Sequence, residues 1–197
     1  LVGSEMCIRD STKVAVYMLY RLYVQLFDLE QRWNVLIIVI MIISMMIGAF
    51  GGLAENSIRR VLGYQMLNGM PFILVMLAFT SDDPRRALAA GIMYTIHHML
   101  TVGSLILASG AIEETYGTGL LSKLSGLARR DPIIAWIFAA GAFSVVGFPP
   151  FSGMWGKLMI VFEIARVGGA WAWIAIAAII IASFAAFLAM LRVWRKV

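Results

Sequence analysis

Cysteine is nearly absent from this sequence, which contains Cys7 and no other among 197 residues. A single cysteine excludes a disulfide bond within the chain, and it cannot supply the several thiolates that iron–sulfur clusters and thiolate zinc sites require. Charged residues are also scarce, at 14% of the chain against about 25% in an ordinary soluble domain. The sequence therefore predicts neither a disulfide-rich secreted domain nor a typical soluble protein.

Apolar residues make up most of the chain. They account for 61% of it, against about 45–50% in a soluble domain, and the mean hydropathy is +0.88. This composition predicts a protein embedded in the lipid bilayer. The net charge of +5 is interpreted as loop residues facing the cytoplasm, since no basic stripe is interleaved with exposed aromatics. Nucleic acid is therefore not an expected partner.

The first ten residues, LVGSEMCIRD, differ from the apolar segment that follows them. A secretory signal has a basic start and then an uninterrupted apolar run, and neither is present here. Back-translation gives a nucleotide string that resembles the transposon adapter used to prepare sequencing libraries. We therefore expect residues 1–11 to be translated adapter, and residues 12–197 to be part of a longer membrane protein.

The remaining chain divides into apolar segments. A membrane-spanning helix needs about 20 mainly apolar residues. Runs of this kind predict an all-α, polytopic transmembrane helix bundle with about six spans, and the loop after the fourth has room for a short surface helix. The predicted spans are 12–27, 34–54, 61–80, 87–112, 132–167 and 171–193.

The segment 132–167 is too long for one ordinary span and short for two. A continuous helix has to break within it, because two prolines without backbone donors stand among three glycines. Either two short helices each cross the bilayer, or one span is broken in its middle. Such breaks mark ion or substrate sites in transporters. The residues at the break are Gly147, Pro149, Pro150, Gly153 and Gly156.

Loop charges favour one of these topologies, since cytoplasmic loops are enriched in lysine and arginine. Two crossings would place six basic residues on each side. One broken crossing moves Arg166 to one side and the C-terminal cluster Arg192, Arg195 and Lys196 to the other, which gives eight against four. The broken span is therefore the more coherent interpretation, and its eight cytoplasmic residues would be Arg59, Arg60, Lys123, Arg129, Arg130, Arg192, Arg195 and Lys196.

Ionisable residues within the spans are the candidate functional residues. Lys157 follows the break in the apolar run GMWGKLMIV. A charge at the bilayer centre costs roughly 2.5–3.5 kcal/mol, so we interpret it as functional rather than as a snorkelling side chain. Lys13, near the start, is either interfacial or functional. Glu163 is either an ion-pair partner of Lys157 or an interfacial residue.

His97 and His98 lie in the middle of the fourth predicted span. Neighbouring positions cannot supply the i, i+4 geometry of helical zinc sites, and no carboxylate accompanies them, so a metal site is not expected. Adjacent residues point about 100° apart, so at most one should face a given pathway. Histidine changes charge near physiological pH, and we expect one of the pair to relay protons. Lysines and a histidine in series predict ion translocation.

Four segments together resemble a known family: STKVAVYMLYRL, SIRRVLGYQMLNGMPF, IHHMLTVGSLILASG and GFPPFSGMWGKLMI. Their order and spacing are similar to the second half of proton-translocating antiporter-like membrane subunits. These subunits occur in Mrp-type Na⁺/H⁺ antiporters and in the membrane arm of respiratory complex I. The proline–lysine segment and the loop after the histidine span are most similar to the D-type subunits of Mrp antiporters.

The resemblance implies two inverted repeats, each with a broken helix bearing an ionisable group. It matches Lys157 to the lysine of the second broken helix, Lys13 to the lysine of the preceding connecting helix, and His98 to the histidine between them. Protons would then pass from Lys13 through the His98 region to Lys157. Two departures are Asn68-Gly69, where relatives often carry Ser-His or Ser-Gln, and Val102, where many carry lysine.

The leading hypothesis is a proton-translocating subunit of a multisubunit Na⁺/H⁺ antiporter in a prokaryotic plasma membrane. Its partners would be other subunits, the lipid bilayer, protons and Na⁺, and no cofactor or enzyme active site is expected in this chain. The alternative is a non-redox, proton-pumping subunit of NADH:quinone oxidoreductase or a related hydrogenase complex. A membrane scaffold without conduction is the third hypothesis.

Overall fold

The computed structural model describes residues 2–25 and 31–196, with side chains for 11–23 and 33–196. Residues 26 and 27 of the first predicted span lie outside these ranges. The side chains of residues 2–10, which the adapter hypothesis concerns, also lie outside them. The helices are α1 (Val2–Gln25), α2 (Gln31–Ala54), α3 (Ile58–Leu74) with a 3₁₀ turn (Val75–Phe79), α4 (Pro84–Tyr116), α5 (Leu127–Arg130), α6 (Pro132–Val146), α7 (Ser152–Val167) and α8 (Ala170–Lys196).

The predicted all-α, polytopic bundle is confirmed. Four helical segments are long and apolar enough to cross a membrane, namely α2, α3 with its 3₁₀ turn, α4 and α8. Large apolar side chains point outward from the bundle, including Leu100, Ile133 and Trp136, each more than 70% exposed. An outer surface of this kind suits contact with lipid or with other membrane proteins.

Two Asp-Pro pairs set where α4 and α6 begin. The Asp83 carboxylate accepts hydrogen bonds from the backbone N–H groups of Arg85 and Arg86 at 3.0 and 3.3 Å, and Pro84 takes the first helical position. The same arrangement opens α6, where Asp131 accepts from the N–H of Ile134 at 3.3 Å. Asparagine and aspartate caps followed by proline are common helix starts.

The helices α6 and α7 follow one another along α4 instead of doubling back. Gly141 of α6 packs against Leu105 of α4, whereas Gly156 of α7 packs against Tyr94. Positions on α4 therefore fall as positions on α6 and α7 rise, so the pair runs antiparallel to α4 as one interrupted element. A hairpin would have returned α7 toward Leu105. The predicted single broken span over 132–167 is the arrangement found.

At one end of the bundle, α2, α4 and α8 finish and α3 and α6 begin. We call this the basic end. Side-chain contacts tie it together: the Arg59 Nε donates to the Glu113 carboxylate at 2.6 Å, and Arg192 donates to the carbonyl of Leu53. The loops and helix ends at this end hold eight basic residues, Arg59, Arg60, Lys123, Arg129, Arg130, Arg192, Arg195 and Lys196. Arg166 lies at the other end, as the broken span requires.

Candidate functional site

The four predicted site residues are all buried in the core of the bundle. Lys13, His97, His98 and Lys157 each expose 8% or less of their surface. They come from three elements, since Lys13 lies on α1, the two histidines on α4 and Lys157 on α7. Because α4 contacts both α1 and α7, the histidines lie between the two lysines.

Lys157 finds its partners at the break between α6 and α7. Its Nζ donates to the backbone carbonyl of Val146 at 2.7 Å and to the Ser183 hydroxyl at 3.1 Å, and it lies 4.9 Å from the centre of the Phe72 ring. The Val146 carbonyl is free because α6 ends at Gly147, and the last carbonyls of a helix lack partners within it. The break therefore provides an acceptor for a buried ammonium group.

The backbone conformation and the packing at the break explain why glycines occur there. Gly147 ends α6 in the left-handed conformation, at φ 91°, which glycine adopts without strain. A side chain on Gly153 would overlap the carbonyl of Ser144 and crowd His97, so α7 can begin against α6 and α4 only with glycine there. Pro149 and Pro150 lie in the connecting loop between the two helices.

Glu163 does not pair with Lys157, so that alternative is wrong. Its carboxylate lies 3.6 Å from the guanidinium of Arg166, one turn later on α7. Six positions along an α-helix turn the side chain by roughly 240° from its starting direction, which takes Glu163 away from the face that carries Lys157. Among the described side chains, the ion pairs do not include Lys157.

His97 faces the break. Its Nδ1 lies 2.9 Å from the Ser152 hydroxyl and 3.2 Å from that of Thr101, and Ser152 is in turn 3.4 Å from the Ser144 hydroxyl. Ser152 begins α7, five residues before Lys157. His97 is therefore linked by hydroxyl groups to the helix that carries the lysine.

His98 faces α3 instead. Its ring is fully buried and packs on Gly69, where a side chain would overlap the imidazole. Neither ring nitrogen has a hydrogen-bond partner among the described residues. Tyr94 lies beside both histidines, with ring centroids 5.6 Å from His97 and 6.0 Å from His98. The two histidines thus face different helices, as their 100° separation requires, and both lie in the core between the lysines.

Lys13 lies on the far side of α3 from Lys157. Its Nζ is 2.7 Å from the sulfur of Met70, the residue after Gly69. Further along α1, the Tyr20 hydroxyl donates to the carbonyl of Ile73 at 2.5 Å, which fixes α1 against the same part of α3. Lys13 thus contacts the same turn of α3 on which the imidazole of His98 packs, at Gly69.

Several hydroxyl residues at the site were not predicted from the sequence. These are Thr101 and Ser152 beside His97, Ser144 beside Ser152, and Ser183 beside Lys157. The available signal was a single small polar residue inside an apolar run, as in IASFAAF around Ser183. Such residues often bond only to their own helix, so this signal alone is weak.

The fold and the site define a polytopic helical membrane protein with a buried lysine at a broken helix. The family described as "NADH:quinone oxidoreductase/Mrp antiporter, TM" matches residues 9–187. The chain belongs to this family, and the resemblance drawn from its four sequence segments is confirmed.

Individual relatives come from both branches of the family. The D subunit of the Na(+)/H(+) antiporter of Alkalihalophilus pseudofirmus is 28% identical over 151 residues, which are 76% of this chain and 30% of that protein. The N subunit of the NADH-quinone oxidoreductase of Hydrogenovibrio crunogenus is 29% identical over 183 residues, which are 91% of this chain and 37% of that protein.

A solved structure, that of the Mrp complex from Dietzia sp. DQ12-45-1b, contains a chain that is 36% identical with a TM-score of 0.87. The match covers 94% of this chain and 34% of the other. This chain thus spans about a third of the length of the relatives it matches.

Proposed function

We propose that this chain is the second half of a proton-translocating subunit of a multisubunit Na⁺/H⁺ antiporter in a prokaryotic plasma membrane. The observation that carries the proposal is Lys157, a buried lysine at a helix break. Its described hydrogen-bond partners are a carbonyl and a hydroxyl. A lysine with neutral partners can lose its proton without leaving an unpaired buried counter-charge behind.

The proton path would run across the bundle from Lys13 to Lys157. Its steps are Lys13 beside α3, His98 over Gly69, His97 on the other face of α4, and then the hydroxyl of Ser152 at the start of α7. The sulfur of Met70 next to Lys13 does not carry a transferable proton, so water completes the step to His98.

The basic end would face the cytoplasm, since cytoplasmic loops carry the excess of lysine and arginine. The antiporter and Mrp relatives are parts of larger complexes by their printed names. The outward-facing apolar side chains, such as Ile133 and Trp136, would contact lipid and the neighbouring subunits. Protons and Na⁺ would be the transported ions.

A second candidate function is proton pumping in NADH:quinone oxidoreductase or a related hydrogenase complex. It is supported by the N subunit of the Hydrogenovibrio crunogenus NADH-quinone oxidoreductase, which is 29% identical over 91% of this chain. The neighbouring genes discriminate between the two functions. Genes for small antiporter subunits would favour the antiporter, and genes for flavin and iron–sulfur subunits would favour the redox complex.

The test of the proposed function is replacement of Lys157 in the full-length, assembled complex in membrane vesicles. Lys157→Ala should abolish Na⁺-coupled proton movement, measured with a pH-sensitive dye, while the subunits still assemble. Lys157→Met keeps most of the side-chain volume and should give the same loss, which separates lost charge from a cavity.

The matched control is Lys123→Ala, the same change at an exposed lysine in the loop before α5. It should leave transport at the level of the unaltered complex. Full transport by an assembled Lys157→Met complex would show that this lysine carries no protons. Proton movement driven by NADH and independent of Na⁺ would favour the second candidate function.

A further inference from the structure

Two amide side chains on α3, outside the predicted path, are buried without full hydrogen bonding. Gln65 exposes 2% and Asn68 3% of their surface. The Gln65 Nε2 and the Asn68 Oδ1 have no hydrogen-bond partner among the described residues, and the same is true of both ring nitrogens of His98. A buried polar group left without a hydrogen bond destabilises the folded protein. Water is the ordinary partner of such groups inside proteins.

The two amides lie on one face of α3, opposite glycines of α2. They are three positions apart, and side chains at this spacing lie one above the other on a helix. The backbone of Gly48 approaches Asn68 so closely that a Cβ atom there would overlap its backbone, and a Cβ atom on Gly52 would lie 3.7 Å from the Gln65 Nε2. Backbone and amide groups thus face each other here, where apolar side chains would otherwise pack.

The inner end of this face reaches His98, because Gly69, on which the imidazole packs, lies four positions after Gln65 on the same side of α3. We call Gln65, Asn68 and His98 the amide stripe. Gln65 and Asn68 follow one another along α3 from the side of the basic end, and His98 of α4 lies at the inner end. Each of the three carries a donor or acceptor group.

The outer end of the amide stripe leads toward α8. Ala189 of α8 lies against Gly52, beside Gln65. One turn later on α8, Arg192 donates to the carbonyl of Leu53 at the basic end. By contrast, Val61, one turn before Gln65 on α3, is apolar and fully buried. Of the two directions from Gln65 toward the basic end, only the one toward α8 therefore meets a polar side chain, that of Arg192.

We propose that Gln65 and Asn68 hold water molecules that connect His98 with the basic end beside Arg192, and so add a segment to the proton path. The role in transport rests on the proposed function, whereas the hydration does not. A carboxamide offers a donor and an acceptor and stays neutral across the physiological pH range. It can therefore orient water without trapping a proton.

Each transfer along the amide stripe breaks one O–H or N–H bond and forms one such bond on the next water or on His98. No oxidant, reductant or further reactant takes part. Gln65 and Asn68 are positioning residues in this scheme, and the proton is carried by water and the imidazole.

Hydration is tested by cysteine reactivity in a cysteine-free version of the full-length, assembled complex. Gln65→Cys and Asn68→Cys are each exposed to Ag⁺, a thiol-reactive ion small enough to follow water, added on the side of the basic end. Protection from later labelling after denaturation measures the reaction. We expect both positions to react much faster than Val61→Cys, which lies closer to the basic end but at an apolar position of α3.

Equal rates at positions 61, 65 and 68 would overturn the proposal, whether all three are fast or all three are slow. If Lys157→Met leaves transport intact while positions 65 and 68 still react, the proposed function fails and the hydration of the amide stripe stands. The two proposals can thus fail separately.

The transport role is tested with Gln65→Met and Asn68→Leu, which keep size and remove the polar groups. Each should slow proton-coupled transport by about tenfold, the rate equivalent of one lost buried hydrogen bond, without loss of assembly. Gln65→Asn, which retains the carboxamide, should restore part of the rate.

The matched control is Ser109→Ala, a buried polar residue on α4 whose hydroxyl donates to the carbonyl of its own helix at Ile106. It should leave the rate unchanged. Unaltered transport in an assembled Gln65→Met, Asn68→Leu double variant would remove the amide stripe from the proton path.

Discussion

Lys157 is a buried cation held by a backbone carbonyl of Val146 and by the Ser183 hydroxyl. The type of partner decides what such a residue can do. A carboxylate would fix the positive charge, since removing it would leave a buried negative charge unpaired. A carbonyl and a hydroxyl remain neutral when the lysine loses its proton. At this position, the choice of partners suits a group that alternates between two charge states.

Gly69 is the residue whose replacement should most directly disturb His98. A methyl group there would overlap the imidazole, whose ring is fully buried. We expect Gly69→Ala to lower the stability of the assembled complex by about 1–3 kcal/mol, the usual cost of overpacking, and to slow transport. Thermal unfolding and vesicle transport measure the two effects.

Gly63 on the same helix is the matched control, because a Cβ atom there would meet no atom within 4 Å. Alanine is favoured over glycine in a helix by roughly 0.5–1 kcal/mol, so Gly63→Ala should hold or raise stability and leave transport unchanged. Equal behaviour of the two alanine variants would show that Gly69 does not determine the position of His98.

Single residues could be predicted from the sequence where their type was costly in a membrane. Lys13, His98 and Lys157 stand out in apolar runs for that reason. Hydroxyl residues do not stand out in this way, because they often bond only to the backbone of their own helix. Four on α4 do so, namely Thr95, Ser104, Ser109 and Thr115. Ser183 has the same kind of sequence surroundings but bonds to another helix, and only the packed structure separates the two cases.

Helical elements were predictable where strong local signals occur. The prolines and glycines between α6 and α7 marked the break, and Asp83 and Asp131 precede prolines that open helices. The direction of α7 was not a local property. It depends on which part of α4 each glycine packs against, as with Gly141 and Gly156. The loop charges favoured the direction of α7 that the structure shows, because they depend on where the ends of all the helices lie.

The broken span predicts on which side of the membrane its two flanking loops lie. In a cysteine-free, full-length complex, Glu114→Cys at the basic end and Arg166→Cys at the end of α7 are both exposed. A membrane-impermeant maleimide should label the first from the cytoplasmic side and the second from the opposite side. Sealed vesicles of both orientations provide the measurement.

Lys123→Cys is the control for this experiment, since it is exposed and lies in the loop between α4 and α5. It should be labelled from the same side as Glu114→Cys. Labelling of Glu114→Cys and Arg166→Cys from one side would require two separate crossings in 132–167 and would reject the single broken span.

At the scale of the whole molecule, this chain spans about a third of the length of its relatives. By resemblance, full-length members of the family contain another repeat, which has its own broken helix and ionisable groups. We therefore expect residues 12–197, reconstituted alone in proteoliposomes, to show no Na⁺-coupled proton movement, whereas the full-length complex does. A dye that reports internal pH measures this. Coupled transport by the isolated chain would mean that the path from Lys13 to Lys157 is sufficient.

The break between α6 and α7 also brings two helix ends of opposite partial charge next to buried residues of the site. A continuous span has both ends near bulk water, where solvent screens them. Here the partly negative carboxyl end of α6 lies at the ammonium group of Lys157, and the partly positive amino end of α7 begins at Ser152 beside His97. The interruption of one helix thus creates a fixed electric field at the site, which acts on any charge carried by Lys157 or His97.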